Sequence, residues 1–128
     1  MGEIDKQKIE LGQKGEDIAW KYLQNKGYEL ITRNYRCHRW GELDIIMRDG
    51  KYLVFVEVRT KKNTIHGTPI ETIDYSKRRQ IERMARLYLT KEKIPEDTFC
   101  RFDVVGIVIP NNKEPIINHI QDAFILGD

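Results

Sequence analysis

The stretch GELDIIMRDGKYLVFVEVRTK, residues 41 to 61, limits the possible fold more than any other. Leu53 and Phe55 alternate with Val54, Val56 and Val58, so a strand over these residues is apolar on both faces. Such a strand belongs in the middle of a sheet that is covered on both sides. GELDIIM forms a second strand, joined to it through Asp49-Gly50, a strong signal for a two-residue hairpin turn.

The flanking segments supply the cover. From about Lys8 to Lys26 the pattern is helical, with Ile18, Ala19, Tyr22 and Leu23 on one apolar face and Gly27 as a stop. YELITRNYR, from Tyr28 to Arg36, is strand-like. Residues 62 to 73 contain Gly67 and Pro69 and read as a mobile loop. A second helix starts at the N-cap Asp74, runs to about Lys91, and buries Ile81, Met84, Ala85 and Tyr88. RFDVVGIVI is a fourth strand, apolar on both sides, and PIINHI a short fifth. Helix, three strands, helix, strand, strand predicts a mixed α/β domain with helices packed on a central sheet.

At 128 residues the chain is expected to form one domain, 1–128, with a single core. No apolar run approaches the roughly 18 to 20 residues of a membrane span, and MGEIDKQKIE lacks the apolar segment of a secretory signal. Lys6 stands where a myristoylation signal has Ser or Thr. Cys37 and Cys100 lie far apart outside any CxxC spacing and read as reduced thiols of a cytosolic protein, and the three scattered histidines argue against a zinc cluster. The net charge of +2 is uninformative, but basic residues gather in three runs: Arg33, Arg36 and Arg39; Arg59, Lys61 and Lys62; and Lys77 to Arg86. A locally basic chain suits a polyanion on one face, and solvated surfaces explain the same runs.

Asp44 and Glu57 fall in the two apolar strands and come near each other through the hairpin, slightly offset or splayed when counted from Asp49-Gly50. Two carboxylates at a sheet end repel unless each is paired with an arginine, lies at an exposed edge, or shares an oxygen-seeking cation such as Mg²⁺ or Mn²⁺. The apolar surroundings of Glu57 favour the cation. Glu16, beside the apolar face of the first helix and preceded by Gly12 and Gly15, is a third acid directed at the sheet; a favourable helix-dipole contact is its simpler explanation. Arg59 and Lys61 alternate onto the face of Glu57, where a basic side chain stabilises charge on a phosphate. Arg79, Arg83 and Arg86 lie opposite the buried face of the second helix. They read either as phosphate contacts or as a solvated face with local pairs such as Glu82 to Arg86.

GQKGEDIAWKYL, GELDII, VFVEVRTK, GTPIETIDYSKRRQIERMARLYL and RFDVVGI together resemble the YraN family of small bacterial proteins. That family is a branch of the PD-(D/E)xK nuclease superfamily, distantly similar to archaeal Holliday junction resolvases. The resemblance implies a restriction-endonuclease-like fold and a Mg²⁺ (or Mn²⁺) site of Glu16, Asp44 and Glu57, with a basic residue two positions after Glu57, that hydrolyses DNA phosphodiesters. The chain departs from the pattern: relatives have lysine at the position of Arg59, and many have arginine at that of Lys61. Arginine keeps its proton near neutral pH, so it stabilises charge and does not act as a base. Two readings follow: a cytosolic, structure-selective endonuclease acting on branched DNA, or a nuclease-fold module that binds DNA or a repair partner without cutting. Neither involves a membrane, and a homodimer is left open.

Overall fold

In the computed structural model, which describes residues 2–124, β3 (Tyr52–Lys61) runs through the middle of a five-stranded sheet of order β1-β2-β3-β4-β5. β1 (Glu29–Cys37), β2 (Gly41–Asp49) and β5 (Ile116–Phe124) are antiparallel to their neighbours, whereas β3 and β4 (Phe99–Val108) pair in parallel. The sheet is therefore the mixed sheet of the expected restriction-endonuclease-like α/β class. Its parallel pair needs a crossover, which is supplied by α2 (Tyr75–Lys91).

The alternation in β3 separates two cores. Val54 and Val56 join Ala19 and Leu23 of α1 (Glu3–Asn25), with Val105 and Ile107 of β4. Leu53 and Phe55 join Ile81, Met84, Ala85 and Tyr88 of α2, with Phe102 and Val104. The α1 face read from the sequence is the one that packs, although the helix begins earlier than expected, at Glu3. Asp74 caps α2 by accepting the Lys77 N–H at 2.8 Å. β5 is longer than PIINHI, and the segment before α2 contains a short 3-10 turn, Ile70–Thr72, whose Ile70 lies close to Gly106 of β4.

Of the two glycines just before Glu16, Gly15 allows a close approach to the sheet and Gly12 plays no such part. A Cβ on Gly15 would overlap Thr60 Oγ1 and come within 2.8 Å of Thr60 Cβ, whereas one on Gly12 meets nothing. Overpacking of this kind typically costs about 1 to 3 kcal/mol. Gly15→Ala should therefore lower the midpoint of chemical unfolding, and Gly12→Ala should not. Equal midpoints would mean that α1 shifts away from β3 without cost.

The most buried acid, Asp103 (1% exposed), is structural. Its oxygens accept from Arg101 Nε (2.9 Å), Tyr28 Oη (3.0 Å) and the Asp122 N–H (3.2 Å), and pair with His119 Nε2 at 2.8 Å. Burial alone would raise its pKa, but these bonds outweigh burial and lower it to about 2. The network ties β5 and the connection between α1 and β1 to β4. Among the described residues no helix is long and apolar enough to cross a membrane.

Candidate active site

The hairpin turn sits one residue later than the sequence suggested. Asp49 pairs with Tyr52, so the central residues are Gly50 and Lys51. That shift removes the expected offset, because the same register continued along the strands carries Asp44 opposite Glu57. The ladder stops one pair short, at Ile45 with Val56. Leu43 packs on the α2 side while Ile45 and Met47 pack on the α1 side, so the alternation of β2 breaks at Asp44. There β2 and β3 fork, as the expected splay requires. The Val58 N–H, which a continued ladder would have paired with β2, donates instead to Asp44 Oδ2 at 2.8 Å.

The fork concentrates charge. Glu57 is 4% exposed, and its Oε1 has no hydrogen-bond partner. Burial, and then the charge of Glu57, push the Asp44 carboxyl up to about 7. Burial also raises Glu57, against the opposing pull of Lys77 and Arg59. The two carboxylates act as a pair that holds one proton until near neutral pH. Glu16 lines the same cleft as Asp44, together with Arg59 and Lys61. Its carboxyl is raised by burial, restrained by the Arg33 hydrogen bond and raised again by Asp44. Arg33 of β1 holds Glu16 at 3.0 Å and Asp17 at 2.7 Å, so the two neighbouring acids share one arginine.

The basic residues divide in a way the strand pattern does not show. Arg59 Nε stands 3.4 Å from Glu57 Oε2, on the expected face. Lys61 Nζ donates to the His66 and Gly67 carbonyls, both at 3.2 Å, and so is tied to the loop over the cleft. Lys77, from the first turn of α2, places its Nζ 3.5 Å from Glu57 Oε2. In the sequence this residue is one of a basic run, and nothing in that run singles it out. Its signal is spacing: it lies four residues before Ile81, on the buried stripe continued one turn back. Arg79, Arg83 and Arg86 are exposed as expected, but Glu82 is buried and pairs with Arg79 at 3.1 Å rather than ahead with Arg86.

Among the described residues no three His, Cys, Asp or Glu side chains form a ready-made cation cage. The chemistry of the pair nonetheless suits a hard divalent cation, with the half-buried Asp44 lining the cleft, the buried Glu57 drawn beside it and Glu57 Oε1 unanswered.

The family model described as "Uncharacterised protein family UPF0102" matches residues 15–107. The chain belongs to the UPF0102 family. This is the YraN family that the motifs resemble. A UPF0102 protein of Geotalea daltonii is 45% identical over 117 residues, covering 91% of each chain. One of Rhodococcus opacus is 44% identical over 116 residues, covering 91% of this chain and 97% of its own. One of Geotalea uraniireducens is 47% identical over 117 residues, covering 91% of each. The span that defines UPF0102 in this chain includes Glu16, the Asp44–Glu57 fork, Lys77 and the arginines of α2, and ends before β5.

Proposed function

We propose that this UPF0102 protein is a metal-dependent, structure-selective DNA endonuclease that hydrolyses phosphodiester bonds, with branched DNA as its preferred substrate class. The observation that carries this reading is the Asp44–Glu57 pair, two carboxylates held at a sheet fork with Glu57 Oε1 unpartnered and the Asp44 carboxyl pushed up to about 7. Structural acids are usually fully paired, as Asp103 is here; perturbed, under-satisfied pairs in a cleft belong to functional sites. Asp44 and Glu57, with Glu16, would hold Mg²⁺ or Mn²⁺, which supplies Lewis acidity toward the scissile phosphate. Arg59 stabilises the charge that develops on that phosphate. Lys77 holds a positive charge against Glu57. Arg79, Arg83 and Arg86 grip the DNA backbone without reading bases.

One observation favours the non-catalytic module. Arg59 and Lys77 already answer the charge of Glu57, at 3.4 and 3.5 Å, without any metal. A cleavage panel of linear, nicked and branched DNA with and without Mg²⁺ or Mn²⁺ decides between the two. Metal-dependent scission of branched DNA supports the nuclease. DNA binding with no scission under either metal leaves the binding module. Loss of the grip should be visible in salt dependence: Arg83→Ala with Arg86→Ala should flatten the slope of log K against log salt by roughly two. An unchanged slope would place the phosphates on another face.

A further inference from the structure

Beside the fork, α2 and the 3-10 turn η1 (His38–Trp40) enclose a surface lined by Arg39, Trp40, Tyr75, Arg79 and Arg83, with Lys77 in its wall. Trp40 is 46% exposed and Tyr75 69% exposed. The Arg83 guanidinium stands 5.5 Å from the Trp40 ring centroid, so the indole is held by a cation and still open to solvent. The backbone just after Trp40 lies against α2: Gly41 sits at φ +121, and a Cβ there would overlap Nε2 at the end of the Gln80 side chain.

Exposed aromatic rings among arginines recognise a polyanion with accessible flat faces. In duplex DNA the base faces cover one another, and only unpaired bases offer theirs. We propose that Trp40 and Tyr75 form a stacking platform for unpaired bases of single-stranded DNA, with Arg39 and Arg83 meeting the strand's phosphates. The inference rests on the nuclease reading for its choice of DNA, and it names the feature that makes the substrate structured: an unpaired stretch next to the scissile duplex. Lys77 places the two surfaces side by side, since the same side chain lines the platform and reaches Glu57.

The test is equilibrium binding by tryptophan fluorescence, without divalent metal so that binding is read apart from cleavage. The full chain carries Trp20→Phe, which leaves Trp40 as its only indole. Three probes of equal charge are titrated: a thymidine oligonucleotide, the same backbone made abasic, and a closed-end duplex. The thymidine strand should quench Trp40 and bind about tenfold tighter than the abasic strand. In the native background, Trp40→Ala should erase that preference by anisotropy, leave duplex affinity unchanged, and be rescued by Trp40→Phe. If Trp40→Ala fails to fold, the abasic comparison on the Trp20→Phe chain decides alone. Equal affinity for thymidine and abasic strands overturns the platform. So does emission that changes with protein concentration and ignores DNA, which would assign the face to a second copy of the chain. Preferential thymidine binding by a chain that cuts nothing keeps the platform and sinks the nuclease; metal-dependent cutting untouched by Trp40→Ala, with no thymidine preference, does the reverse.

Discussion

Asp44→Asn should raise the melting temperature at about pH 8 by roughly 5 to 10 °C while abolishing metal-dependent cleavage. The Asp44 carboxyl is raised from 3.8 to about 7 by burial and by Glu57. As pH rises from about 4 to 7, the unfolded chain gives up a proton that the folded chain retains, so stability falls through this window. Above about 7 the fold bears the full cost. The gap corresponds to about 4 kcal/mol at most, with the pull of Lys77 already counted in it, and replacing the charge-assisted bond from the Val58 N–H by a neutral one offsets part of this, which leaves a gain of about 2 kcal/mol for the variant. Asparagine retains the local bonding: its Oδ1 can still accept the Val58 N–H, and its amide can donate to the unpartnered Glu57 Oε1. Calorimetry should show the gain shrinking toward about pH 4, where the unfolded chain keeps the proton too. Added Mg²⁺ should raise the melting temperature of the native chain and not that of the variant. A variant less stable than native at about pH 8, or equally stabilised at both pH values, would mean that the carboxylates are not strained against each other.

Lys77→Met should cost about 10² to 10³ in cleavage rate, more than Lys61→Ala. Methionine keeps the length of the stem and removes only the charge. Lys77 Nζ lies 3.5 Å from Glu57 Oε2, whereas Lys61 Nζ is directed to two loop carbonyls. Without the Lys77 ammonium the acid pair holds its proton more tightly, so the rising limb of the pH–rate profile should move to higher pH. A purely structural lysine would lower activity without moving that limb. Arg59→Lys should preserve or raise activity in the native background, because it restores a lysine beside Glu57. The reverse ranking, with Lys61→Ala inactive and Lys77→Met near native, would assign the ammonium to Lys61 and make the loop contacts of this structure a resting arrangement.

The two positions show where reading a sequence stops. Asp44 and Glu57 stand out because an acid in an apolar strand breaks a period of two, and Asp74 because an N-cap precedes a helical stripe; both are local signals carried by neighbouring residues. Lys77 follows the same helical period but is masked by the charge run around it, since a lysine one turn ahead of a buried face is as often a solvated stem. The pairing of Arg33 with Glu16 and Asp17 joins residues 16 and 17 positions apart, and no periodicity carries that information.

Element order, the doubly covered central strand and the identity of the two acids are legible in the amino-acid pattern, because burial and periodicity act over a few residues. The centring of the turn on Gly50 and Lys51, the departure of β2 from β3 at Asp44 and the choice of Lys77 as the basic partner from α2 emerge only in the folded chain. Those outcomes depend on how two helices pack against opposite faces of one sheet. Competing hydrogen bonds and buried charges are balanced there between segments far apart in the chain, and local patterns do not encode that balance.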